Sequence, residues 1–168
     1  MGRRRLILVD GPAGAGKTVF ATGLAAGLDA PLVHLDDLYL GWSGLEGAYC
    51  RLVELVLADW SAGRPGAFRA YDWLAGSATG PLIRVPAGDC LVVEGCGCAP
   101  RAADARDPVI VWMDGPPDWR RQRVLARDGQ SEAPSLRDWE AATAAHFERE
   151  RTAARAHLRL VASAQAGG

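Results

Sequence analysis

The residues best equipped for chemistry lie near the start of the chain. Gly11-Pro12-Ala13-Gly14-Ala15-Gly16-Lys17-Thr18 satisfies the pattern G-x-x-x-x-G-K-[ST]. Glycines let the backbone turn its N–H groups inward with no side chain in the way, so such a stretch offers many donors to the oxygens of a polyphosphate. Lys17 adds a flexible point charge that reaches between the β- and γ-phosphates, and the Thr18 hydroxyl suits the magnesium ion that bridges them. The expected nucleotide contacts are therefore Gly11, Ala13, Gly14, Ala15, Gly16, Lys17, Thr18 and Val19, with ATP and magnesium as the ligands. Lys17 is also the only lysine in the chain, every other basic position being arginine or histidine. A solitary lysine points to a task that a guanidinium cannot perform. The dinucleotide pattern G-x-G-x-x-G fails at Val19.

Such a loop works only between a buried strand and the mouth of a helix, and the flanking sequence supplies both. Residues 5–9 (RLILV) form a branched apolar run of the kind buried on both faces in a parallel sheet. From Lys17 onward, Val19/Phe20, Leu24 and Leu28 fall at helical spacing, with a stop near Pro31. A second short strand is expected over residues 32–35, and a helix over 45–60 with Leu52, Val56 and Trp60 on one stripe. Two extended pieces, 68–74 and 81–85, suggest a hairpin within residues 67–86, outside the main sheet. Residues 90–93 and 108–113 predict two more central strands, and Pro116-Pro117 opens a helix to about Asp128. Ser135-Leu136-Arg137-Asp138 has the form of a capping box starting a helix to about Arg155, residues 158–161 predict a last strand, and 162–168 a frayed tail. Strands alternating with helices predict the α/β class, in one domain over 1–168 with no internal repeat.

In an open parallel sheet, ligands collect beyond the carboxyl ends of the strands. Three expected strand ends carry acids. Asp36 would face the γ-phosphate, accepting the proton of an attacking hydroxyl or orienting it. Glu94 closes a strand in the manner of a residue that holds magnesium, directly or through water. Asp114 is expected to begin a turn, and Asp37 to cap one. Arg120, Arg123 and Arg127 fall at offsets of three and four, along one helix face, where like charges require an anion to answer them. The polar stretch that follows has the composition of a lid, placed at about 127–136. Tyr39, Trp42, Tyr71 and Trp73 flank the expected cleft and suit a planar substrate as well as core packing, whereas Trp139 and Phe147 are assigned to a buried helical stripe. His34 and His146 are read as structural.

With these residues in view, the chain resembles the uridine kinase group of P-loop kinases, related to phosphoribulokinase and pantothenate kinase. Leu35-Asp36-Asp37-Leu38-Tyr39 is similar to the group's D-x-F-Y segment, whose Asp is its catalytic base. Tyr71-Asp72-Trp73, Val85-Pro86-Ala87-Gly88-Asp89 and Val92-Val93-Glu94-Gly95 follow its Y-D-F, P-A-D and F-E-G series in order, and residues 120–128 resemble its arginine-rich helix leading into the lid. The resemblance implies a three-layer αβα P-loop NTPase fold with a central, mainly parallel sheet and a small lid. It implies ATP- and magnesium-dependent transfer of the γ-phosphoryl group to a hydroxyl, with a nucleoside as the favoured acceptor. The implied catalytic residues are Asp36, Lys17, Arg120, Arg123 and Arg127; Thr18 and Glu94 would hold the metal, and Asp36, Tyr39, Tyr71 and Asp72 the substrate. Where the group reads a pyrimidine with a His and an Arg, this chain has Leu74-Ala75-Gly76-Ser77-Ala78-Thr79, and the group's F-D-H-P segment is replaced by Gly41-Trp42-Ser43-Gly44-Leu45. The reaction class is therefore carried over more firmly than the acceptor. A nucleoside monophosphate kinase, a sugar or antibiotic-type alcohol kinase, and an ATP-binding switch without an acceptor all stay open, the first requiring arginines such as Arg51, Arg64, Arg69 or Arg84.

Composition bounds these readings. With 168 residues, 49% hydrophobic and 23% charged, the chain is long and apolar enough for one packed core. A net charge of -1 gives no overall pull toward nucleic acid or anionic lipid. No apolar run approaches the length of a membrane span, and residues 6–9 are too short for a signal sequence, so a cytoplasmic protein acting on a small hydroxyl-bearing molecule is expected. Cys50, Cys90, Cys96 and Cys98 lack the paired spacing of a zinc site and are read as core thiols.

Overall fold

A computed structural model describes residues 4–162. Five strands, β1 (Arg5–Asp10), β2 (Leu32–His34), β5 (Cys90–Glu94), β6 (Val109–Asp114) and β7 (Leu158–Val161), form one sheet in the order β2-β5-β1-β6-β7. Every pairing in it is parallel. β3 (Gly66–Arg69) and β4 (Leu82–Val85) pair antiparallel as a separate two-stranded arm, the first strand ending at Arg69 rather than running to residue 74, with residues 73–76 in a turn.

The strands are short apolar runs because both faces are covered, and alternate residues serve different layers. Leu6, Leu8, Val33, Leu91, Val93 and Ile110 face one layer. There they meet the helical stretch α2 (Leu45–Leu52), a π turn (Val53–Leu57) and α3 (Ala58–Ser61), together with Trp139 of α5 (Ala133–Glu150). Val9, Val92 and Val111 face the other, against Ala21 and Ala25 of α1 (Lys17–Gly27). The result is a three-layer αβα architecture. Chain direction places the carboxyl ends of β1, β2, β5 and β6 along one edge, and the order reverses on either side of β1. A crevice at that point is where such sheets bind ligands.

Three other local features differ from the sequence expectations. The helix over 45–60 is interrupted by the π turn, a wider backbone spacing that still leaves Leu52, Val56 and Trp60 buried. The capping box at Ser135 does not form. α4 (Pro117–Asp128) ends at Gly129, with φ +102, and a 3₁₀ turn (Gln130–Glu132) leads directly into α5, whose first turn already contains Pro134 and Ser135. α5 also stops earlier, where Arg151 takes φ +53, and a short α6 (Thr152–Arg155) follows. Most of the expected tail, residues 163–168, lies outside the described residues.

Candidate active site

β1 delivers the chain into the glycine loop. Gly11, Gly14 and Gly16 adopt φ of +142, +79 and +93. A Cβ on Gly11 would lie 1.9 Å from the Met113 carbonyl oxygen, and one on Gly14 would lie 2.3 Å from that of Arg120. Glycine is thus required twice over, by backbone conformation and by the close approach of β6 and α4. Gly16 caps α1, and no side chain occupies the helix's free N–H groups. Those donors, with the partial positive charge of the helix start, suit an anion.

Lys17 opens α1 and is only 7% exposed. Its Nζ donates to the Pro12 carbonyl at 2.9 Å and lies 3.6 Å from Cys96 Sγ, so the ammonium spans the mouth of the loop. Burial alone would lower its pKa, but the Cys96 sulfur and the carboxylates of Glu94, Asp36 and Asp10 outweigh this and hold it above its ordinary value. On the next residue, Thr18 Oγ1 donates to Glu94 Oε1 at 3.2 Å. The same oxygen lies 2.7 Å from His34 Nδ1. Accordingly the pKa of His34 is raised, chiefly by the hydrogen bond to Glu94. His34 holds Glu94, in keeping with its structural reading. Asp36 sits on a 3₁₀ turn (Leu35–Asp37) directly after β2 and opens to the same cleft. Its outer edge meets solvent while its surroundings crowd it. Burial and the Glu94 charge raise its pKa, and Lys17 and Arg127 pull it only part of the way back.

One functional carboxylate escapes the sequence reading. Asp10, the last residue of β1, is fully buried and accepts N–H bonds from Gly11 at 2.7 Å, Gly97 at 2.8 Å and Ala99 at 2.9 Å. Burial raises its pKa, and the three donors lower it without cancelling the effect. It locks the start of the glycine loop to the segment after β5, the strand that carries Glu94. The available signal was an acid ending an otherwise apolar strand, one residue ahead of the loop.

The arginines share a helix, as their spacing predicts, but they do not act as one cluster. Arg120 donates to the carbonyls of Gly115 at 3.0 Å and Ala13 at 3.3 Å, with Asp114 3.2 Å away. It is a strut between α4 and the loop and is absent from the cleft lining. Arg123 and Arg127 do line the cleft. Arg123 stacks 4.6 Å over the Trp119 ring, and Arg127 pairs with Asp128 at 2.6 Å. The four expected substrate residues also separate. Asp36 and Tyr39 line the cleft, the latter buried with its hydroxyl donating to the Cys96 carbonyl at 2.7 Å. Tyr71 and Asp72 do not. Asp72 Oδ1 accepts from the N–H groups of Leu74 and Ala75, building the turn that presents Trp73 and Leu74. Among the expected nucleotide contacts, Ala13, Gly14, Gly16, Lys17, Thr18 and Val19 line the cleft, whereas Gly11 and Ala15 sit behind it.

The donor set fits magnesium. Thr18 and Glu94 provide hard oxygen ligands, while no group of three or more His, Cys, Asp or Glu side chains able to hold a metal alone occurs among the described residues. Such a pair suits an ion that takes its remaining ligands from phosphate and water.

A glycine loop between a central parallel strand and its helix, in a five-stranded αβα sheet, is an arrangement that the chain shares with several solved structures. The chain superposes on a possible uridine kinase from Bacillus stearothermophilus with a TM-score of 0.64 and 16% identity, covering 95% of this chain and 90% of that one. It matches a sugar kinase from Janibacter sp. HTCC2649 at 0.56 with 18% identity, over 95% and 85% of the two chains. A shikimate kinase from Bacteroides thetaiotaomicron follows at 0.51 and 16%, over 92% and 84%. No family model and no curated protein matches the sequence. Among the described residues, no helix is long and apolar enough to cross a membrane.

Proposed function

We propose that the protein is an ATP- and magnesium-dependent kinase that transfers the γ-phosphoryl group to the hydroxyl of a small molecule. One observation carries this reading: Lys17, Thr18, Glu94 and Asp36, from three separate elements, converge on a single cleft of about 1150 Å³. The loop N–H groups and Lys17 would hold the β- and γ-phosphates, and Arg123 and Arg127 would meet charge on the transferring group. Thr18 and Glu94 would hold magnesium, which neutralises phosphate charge when bound. Asp36 takes the hydroxyl proton as the acceptor oxygen bonds to the γ-phosphorus, and ADP leaves with the electron pair of the broken P–O bond. Its raised pKa makes it a better base than an ordinary Asp. Arg120 is better placed to fix the loop than to touch phosphate, and Asp72 to build the arm than to touch the acceptor.

Two expectations about the acceptor lose support. A monophosphate acceptor needs its own cations, yet Arg51, Arg64, Arg69 and Arg84 are all absent from the cleft lining. A switch without an acceptor has no use for an open cleft beside Asp36. The nucleoside suggested by resemblance stays within the reaction class but finds no matching base reader. The reading is tested by calorimetry with Mg·ATP and by ADP release from Asp36→Asn. Turnover should fall by a factor of roughly 10² to 10⁴ while Mg·ATP still binds. Full turnover in that variant refutes the base assignment, and no heat with Mg·ATP refutes the kinase.

A further inference from the structure

The wall of the cleft beside Asp36 is aromatic. Trp42 follows Asp36 in the same segment, Trp73 and Leu74 project from the arm, and Trp139 comes from α5. The arm is tied to the turn that carries Asp36 through the Tyr71 N–H, which donates to the Asp37 carbonyl at 2.9 Å. Trp42 sits at the centre, its ring 5.4 Å from that of Trp73 and 5.9 Å from that of Trp139, both edge-on. Trp42 and Trp73 are 40% and 45% exposed, and Leu74 is fully exposed. Grouped exposed rings at the rim of a cleft mark a ligand surface more than a packing defect.

The polar groups narrow the ligand further. The cations lining the cleft are Lys17, Arg123 and Arg127. The first spans the loop, the second has Nη2 4.0 Å from the point a Cβ on Gly16 would occupy, and the third is paired with Asp128. None is left for an anion on the acceptor, and Asp128 and Glu132 line the same space. Among the described residues no Asn, Gln, Ser or His side chain lines the cleft, so the carboxamides that pair with a nucleobase edge are absent from it.

Resting on the kinase reading above, we propose that the acceptor is an uncharged alcohol carried on a flat, apolar ring system, held against Trp42, Trp73 and Leu74 with its hydroxyl at Asp36. The ring is recognised by stacking and burial, and its hydroxyl meets the Asp36 carboxylate. Transfer forms a phosphate monoester on that oxygen, with the proton passing to Asp36 and ADP released.

The full chain with Mg·ATP is assayed for ADP release against 2-(2-naphthyl)ethanol and tryptophol, beside uridine, glucose, shikimate and uridine monophosphate. The ring alcohols should exceed uridine and glucose in kcat/KM by about tenfold or more, with no turnover of the two anions. Trp73→Ala should raise the ring-alcohol KM about tenfold, leave the ATP KM unchanged, and be rescued by Trp73→Phe. Trp42→Ala tests the same wall from a second segment, with the melting temperature of each variant confirming that it folds. Preference for uridine, glucose or an anion overturns the proposal, as does an unmoved ring-alcohol KM in both folded variants. Calorimetry with Mg·ATP alone separates the two failures. Heat with ATP but a polar acceptor rejects the acceptor class only, whereas no heat rejects the kinase and the acceptor with it.

Discussion

At the loop end of the cleft, the working groups are backbone amides and buried charges held from several directions. Asp10 accepts three N–H bonds, Lys17 is enclosed between Pro12 and Cys96, and Thr18, Glu94 and His34 meet around one oxygen. At the aromatic end, the surfaces are side chains on a turn and a loop, with Trp42 and Trp73 partly open to water. The first arrangement leaves few alternatives for each group. The second can change its residues without disturbing the sheet. In the proposed reaction, phosphate binding and transfer would use the former, and selection of an acceptor the latter.

This contrast can be broken at its strongest point. Lys17→Met removes the only ammonium at the loop and should lower kcat/KM about 10³-fold, while calorimetric binding of a ring alcohol without nucleotide persists. Loss of both would mean that the two ends are not separable. Next in size, Asp10→Ala strands three buried N–H groups and should destabilise the fold by about 3 kcal/mol in chemical denaturation. Leu74→Ser at the other end should leave the denaturation midpoint unchanged, since its side chain is already exposed. Equal losses in the two variants would contradict the contrast.

The pH dependence sharpens it. Asp36 must be ionised to accept a proton, and burial together with Glu94 raises its pKa above 3.8. The acidic limb of kcat should therefore lie at higher pH than free aspartate titrates, with activity falling as pH drops through that limb. A limb at the ordinary aspartate position would remove Asp36 from the role. The smallest effect is expected outside the cleft lining, at Glu46. Burial there is outweighed by hydrogen bonds from Arg149 and His146, which lower its pKa. Its contribution to stability is present above the ordinary Glu range and is lost as pH falls through the lowered value. Because the pair is exposed, Glu46→Gln should lower the melting temperature at neutral pH by only about 1 °C.

The same contrast explains what could be read from the sequence. The loop, its strand and its helix are contiguous, so pattern and local structure agree, and the parallel strands are apolar runs bounded by clear turns. Glu94 and Asp36 were legible because strand ends can be located and ligands gather there. Arg120 was not, because spacing reports a shared helix face without saying that one guanidinium is taken by the Ala13 carbonyl. Asp72 misled in a similar way, since a turn-building carboxylate and a substrate ligand have the same appearance in one dimension. Trp139 was assigned to a buried stripe, which it is, yet it also lines the cleft. The π turn and the failed capping box depend on backbone detail around Val53 and Gly129 that residue types do not specify.

Having one lysine, at the mouth of the loop, makes the chain its own reporter. Lys-C protease has a single cutting site, after residue 17, and amine-reactive acylating reagents have a single side-chain target there. Intact mass after either treatment gives a yes-or-no answer about occupancy. A bound nucleotide should slow both reactions together, without any tag, dye or radiolabel.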